Sequence, residues 1–64
     1  MSTNPAEPYI ARLAQELCNV ATSHFARGGA PDVRKAIAWM ARRYPVADLE
    51  QAAHYMVTHR LRPA

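Results

Sequence analysis

The stretch WMARRYPVADLEQ, residues 39–51, decides how this chain is read. An amphipathic segment arrives at a pair of arginines, Arg42 and Arg43, and meets Pro45. A second segment with its own apolar spacing starts at Asp48. Proline lacks an N–H and disfavours helical backbone at the residue before it, so Tyr44-Pro45 separates two helices. The punctuation predicts helices over about 31–44 and about 48–60, joined as a helical hairpin.

Upstream of the break, Val33, Ile37, Met40 and Tyr44 recur at helical spacing, with Ala36 and Ala41 at the edges of the stripe. Pro31 suits the first helical position, and Asp32 places a negative charge at the positive end of the helix dipole. Downstream, Leu49, Ala52, Ala53, Met56 and Val57 form the apolar face, which the Arg60 stem is expected to extend. The order DLEQ predicts a capping box, with Asp48 as N-cap and Gln51 reaching back. Arg62-Pro63-Ala64 reads as a loose end.

Gly28-Gly29 marks the other division of the chain. Before it, Ile10, Leu13, Ala14, Leu17, Ala21, His24 and Phe25 share one helical face, and Gly28 can close that helix. Pro8 is preferred as its first residue over a start capped by Asn4 with Pro5 and Glu7. The first helix is then about 8–27, preceded by a loose tail over about 1–7. No segment alternates with period two. The fold class is all-α: a small three-helix bundle over about 8–61, with one long N-terminal helix followed by a helical hairpin.

Sixty-four residues make one domain, and thirteen of them are alanine. Such a domain has a thin core and marginal stability. A second subunit is one remedy, and the wide apolar face of the first helix predicts a homodimer through Leu13, Leu17, Val20 and Phe25. A disulfide within the chain is excluded because Cys18 is the only cysteine. Cys18 is expected to be a small buried hydrophobe. The segment MSTNPAEP has neither the basic nor the apolar region of a secretory signal, and no apolar run reaches membrane-spanning length. With a single cysteine, this points to a reducing, cytoplasmic setting and to no membrane.

The net charge of +3 is confined to residues 31–64, since residues 1–30 balance Arg12 and Arg27 against Glu7 and Glu16. An electrostatic partner therefore meets the second half of the chain. The excess suits an acidic protein surface or a nucleic acid.

ARRYPV followed by DLEQ resembles the helix-turn-helix of bacterial transcriptional regulators. Ala41, Pro45 and Val46 fall where that family places its small residue, turn residue and apolar residue. The match covers about ten residues. Beyond it, Gln51 and His54 occupy positions where the family buries aliphatic side chains. The resemblance implies base reading by Gln51, His54 and Thr58. KAIAWM with DLEQAAHYM also resembles the last two helices of ubiquitin-associated-type domains, over about half the chain. That likeness implies compact three-helix packing. The first helix lacks the Met-Gly-Phe type of loop through which that family holds ubiquitin.

Trp39 lies off the apolar stripe of its helix, in a row with Lys35 and Arg43. Tryptophan and arginine are enriched among residues that dominate binding energy, so Trp39, Lys35, Arg42 and Arg43 are the expected partner-binding set. His24, on the apolar face, is expected to be a core or interface histidine. His54 and His59 are five residues apart and point to different sides of a helix, lacking the i, i+4 spacing of paired ligands, so no metal is expected, and Gly28-Gly29 is no phosphate loop. No nucleophile is paired with a base, so neither catalysis nor a cofactor is expected. The leading expectation is a non-catalytic regulator of inhibitor or adaptor type that docks on a larger protein. The alternative is a DNA-binding regulator.

Overall fold

A computed structural model describes residues 6–64 and contains three helices: α1 (Ala6–Ser23), α2 (Val33–Met40) and α3 (Val46–Thr58). The protein is an all-α three-helix bundle. Leu13, Ala14, Leu17, Cys18 and Ala21 of α1 enclose the core with Ala36 and Met40 of α2 and Leu49, Ala52 and Met56 of α3. Helix α1 packs most extensively against α3, while α2 and α3 touch each other least. The α2–α3 pair is therefore held together largely through α1. Small alanines at the crossings (Ala14, Ala21, Ala36 and Ala52, all fully buried) let the backbones approach.

The helix boundaries shift from those read in the sequence. Helix α1 starts at Ala6, before Pro8. Proline is tolerated there because first-turn N–H groups have no intrahelical partner in any case. The alternative start at Asn4 and Pro5 lies outside the described residues.

Helix α1 also ends at Ser23, a turn before Gly28. Gly28 and Gly29 both take positive φ, 56° and 84°, and lie between Arg27 and Ala30. The Arg27 N–H donates to the Ala30 carbonyl at 2.8 Å, and the Ala30 N–H donates to the Arg27 carbonyl at 2.9 Å. This is the two-residue turn that paired positive φ values favour. The glycines close their own turn rather than the helix, and the chain leaves α1 early enough to enter it. Phe25 follows the helix end and packs against the core from the loop.

Asp32 is the N-cap of α2, not a first-turn residue: its carboxylate accepts from the Lys35 N–H at 3.1 Å. Helix α2 stops at Met40, so Arg42 and Arg43 lie in the turn beyond it. Because Pro45 holds Tyr44 away from helical backbone, the helix loosens before it. The Arg43 and Tyr44 N–H groups both donate to the Met40 carbonyl, at 2.9 and 3.1 Å. The Tyr44 hydroxyl ties this turn to α1 by donating to Glu16 at 3.3 Å.

Pro45, not Asp48, is the N-cap of α3, and no side chain caps that end. Asp48 sits inside the first turn, where its charge faces the helix dipole. Its carboxylate accepts from the Tyr9 hydroxyl at 2.9 Å. The capping box expected between Asp48 and Gln51 does not form, because Asp48 is already helical.

Helix α3 ends in a Schellman motif. Arg60 takes φ of 51°, the Arg60 N–H donates to Val57 at 3.2 Å, and the Leu61 N–H donates to Met56 at 3.0 Å. Arg60 is exposed and extends no buried face. Leu61 packs against the core. The residues after it are not loose. Gln15 Nε2 donates to the Arg62 carbonyl at 2.7 Å, and the Ala64 N–H donates to Asn19 Oδ1 at 2.8 Å. Gln15 and Asn19, one turn apart on the flank of α1, thus hold the C-terminal strand of chain.

Candidate functional site

The outer face of α2 carries two of the four predicted partner-binding residues, Lys35 and Trp39. The face that packs inward carries Ala36 and Met40, with Val33 and Ile37 half-buried beside them. Helical geometry turns Lys35, Ala38 and Trp39 outward, and all three are exposed. Trp39 keeps 44% of its surface accessible, which leaves one large aromatic available on a polar face. Arg42 and Arg43 are exposed in the turn that follows.

His24 joins this surface, which the sequence reading did not anticipate. Read as part of a longer α1, it belonged to the apolar face. Since α1 ends at Ser23, His24 is exposed and its ring lies 6.4 Å from Trp39, with an interplanar angle of 30°. Phe25 also meets His24 edge-on, with ring centroids 6.4 Å apart and planes at 63°. The signal in the sequence was Thr22-Ser23, two residues poor at propagating a helix just ahead of the diglycine turn. Arg34 is a second addition. It shares a shallow groove with Ile37, Ala38 and Glu50.

Three carboxylates near this surface accept hydrogen bonds, and Glu50 lines the groove beside Arg34. Asp32 caps α2, Asp48 accepts from Tyr9, and Glu16 accepts from Tyr44. Lys35, Arg42 and Arg43 are exposed around Trp39, with Asp32 beside Lys35 at the start of α2 and Glu50 across the groove from Arg34.

The residues expected to read bases sit elsewhere. Gln51, His54 and Thr58 line a groove of about 570 Å³ beside α1, with Ile10, Tyr55 and Glu50 among its walls. His59 lines the same groove as His54. Its ring stacks on Tyr55 at 3.9 Å and 26°. Among the described residues no group of three metal-ligating side chains converges.

Two of the residues expected at a dimer interface on α1, Leu13 and Leu17, are enclosed within the single chain. Leu13 and Leu17 are 2% and 0% exposed within a single chain, covered by α2 and α3. Val20 and Phe25 are half-buried and pack against the same core. Two short alanine-rich helices cover the apolar face because alanine lets them lie close to it. Cys18 is buried as expected, with its thiol directed at the Leu61 carbonyl at 3.8 Å. Among the described residues no helix is long and apolar enough to cross a membrane.

With this geometry in hand, comparison with protein-family models, with curated proteins and with solved structures returns no match, so the functional reading stands on the surface of α2 itself.

Proposed function

We propose that this protein is a non-catalytic binding module that docks on a larger, acidic protein partner through Trp39 and the cations around it. The observation that carries this reading is an exposed Trp39 with the exposed cations Lys35, Arg42 and Arg43 around it. An aromatic anchor supplies apolar contact area at the centre of an interface, and surrounding charges steer and orient the partner. Such a module acts by occupying or bridging surfaces, as an inhibitor or adaptor does.

A DNA-binding role is the competing reading for the same charge. It draws support from the basic turn at Arg42 and Arg43 between α2 and α3. It is disfavoured by Glu50, which shares the outer surface of α3 with Gln51 and His54 and repels phosphate.

Affinity capture from the native cell, with and without nuclease, separates the two. Capture that survives nuclease and is lost in Trp39→Ala, with helicity unchanged, is the expected result. Unchanged capture by Trp39→Ala overturns the protein-binding reading. Loss of capture on nuclease treatment transfers the function to nucleic acid, and duplex binding then falls steeply with added salt. Sedimentation of the free chain tells whether the partner is a second copy.

A further inference from the structure

We propose that a second copy of this chain docks on the α2–α3 face, in an antiparallel two-fold contact along α3. The inward side of α3 is Leu49, Ala52 and Met56, all buried. A second stripe runs beside it: Val46, Glu50, Ala53 and Val57, at successive spacings of four, three and four. That is the spacing with which one helix seats its side chains in the gaps of another. The chain itself leaves much of this stripe open. Val46 keeps 51% and Val57 71% of its surface accessible, and Ala53 is half-buried.

The stripe is self-complementary. Its spacing reads the same from either end. A copy running antiparallel therefore sets Val46 against Val57 of the partner subunit, and Ala53 against Glu50 of the partner subunit. The two-fold axis repeats each contact. Valine meets valine at both ends, and the small side chain of Ala53 leaves room for a glutamate in the middle.

Charge selects a copy over any other occupant. Helices α2 and α3 touch each other least, and the groove between them is lined by Arg34, Ile37 and Ala38 of α2 and Glu50 of α3. Ala53 lies one turn from Glu50, so the partner subunit's Glu50, facing Ala53, comes within reach of the long Arg34 side chain. The axis makes that ion pair twice. A wholly acidic or wholly basic partner opposes one of the two charges, whereas a copy satisfies both. Trp39 is two residues from Ile37 and points to the other side of α2, so its surface stays free in the dimer.

The contact is small. Thirteen residues make α3 about 20 Å long, and two helices side by side span about 20 Å, so each copy covers roughly 400 Å². Stable interfaces start at roughly 1,200 Å² in total, so this dimer is weak, with a dissociation constant on the order of 100 µM.

Sedimentation equilibrium of the full chain between about 10 µM and about 1 mM brackets that value. The average mass should rise with concentration towards that of a dimer. Arg34→Glu and Glu50→Arg should each weaken association about tenfold, since each sets like charges across the axis. An equimolar mixture of the two variants should recover it, because each chain then meets only opposite charge. Val57→Lys should abolish it. Circular dichroism checks that every variant keeps its helicity. A chain that stays monomeric throughout overturns the inference, and so does association unchanged by Arg34→Glu or by Val57→Lys. A mixture that fails to recover what the separate variants lose also overturns it, because the charge pair then lies within one chain. Loss of association in Trp39→Ala overturns it too and moves the second copy to the Trp39 surface. The inference does not rest on the reading of that surface, which the capture test decides separately.

Discussion

The two sides of this small bundle treat their side chains differently. Between α1 and α3 lies the enclosed core: Leu17 and Leu49 are fully buried, and no buried side-chain polar atom among the described residues lacks a partner. On the outer face of α2 the opposite holds. Trp39 is left accessible, its ring pairs with that of exposed His24 at a centroid distance of 6.4 Å, and Lys35, Arg42 and Arg43 are exposed. A chain of this length has little apolar area to spare for a core. Its one tryptophan is nonetheless left outside that core, as an apolar area that the proposed partner would cover.

The contrast is broken or sharpened most strongly at the core. Leu17→Ala should cost about 2–5 kcal/mol, because a fully enclosed side chain leaves a cavity that neighbouring helices cannot close. Against a total stability on the order of 5 kcal/mol for a domain of this size, much of the helical signal should be lost near room temperature. Leu17→Asp should unfold the chain outright rather than release a folded monomer, since the side chain contacts its own α2 and α3. A folded, monomeric Leu17→Asp protein by circular dichroism and sedimentation would contradict the packing described.

Trp39→Ala is the matching change on the other side. It should alter thermal stability by no more than about 1 kcal/mol, as exposed substitutions do, while costing about 2 kcal/mol or more in partner binding. A large loss of stability would show that Trp39 belongs to the core side of the comparison.

The core side was the more legible in the sequence. Leu13, Leu17 and Ala21, then Ala36 and Met40, then Leu49, Ala52 and Met56 recur at helical spacing, and all are buried. What periodicity does not report is where a helix stops. Gly28 and Pro45 were read as stops, but each perturbs the chain one turn earlier, through a tight turn in one case and through Tyr44 in the other. The displaced end of α1 also explains the missed site residue, since His24 on a longer helix would face inward. The positive φ of Arg60 was unreadable for a different reason: arginine carries no preference for that conformation, and only the bonds from Arg60 and Leu61 impose it. Docking of the C-terminal residues likewise depends on Gln15 and Asn19, far away in sequence.

Arg60 offers a smaller test, on the closed side. A side chain in the left-handed region carries a steric cost that glycine avoids, on the order of 1 kcal/mol. Arg60→Gly should therefore raise the midpoint of thermal unfolding by several degrees, a shift consistent with about 1 kcal/mol in so small a domain. Binding through Trp39 should be unaffected, because Arg60 lies at the far end of α3. A lower midpoint would show that the arginine side chain contributes more than its backbone conformation costs.

The smallest effect expected lies at the rim between the two sides, where Tyr9 on α1 meets Asp48 in the first turn of α3. The Tyr9 hydroxyl donates to the Asp48 carboxylate at 2.9 Å. That bond raises the tyrosine pKa above its usual value of 10.0, with desolvation and the carboxylate charge adding to the effect. Only the neutral phenol can donate, and ionisation would set two negative groups side by side. The sign of the linkage follows. The folded pKa is raised, so the contribution of Tyr9 to stability is fully present below the unfolded value near 10 and is lost as pH rises through the folded value. Stability near neutral pH should not respond to this group. Ultraviolet absorbance titration should place Tyr9 later than a free tyrosine, and Tyr9→Phe identifies which step in the curve belongs to it. Asp48→Asn should return that step toward the ordinary range by removing the carboxylate while keeping an acceptor in place. A Tyr9 step already at the ordinary value in the unsubstituted chain would mean that the hydroxyl does not hold Asp48, and that the first turn of α3 keeps its aspartate for the helix dipole alone.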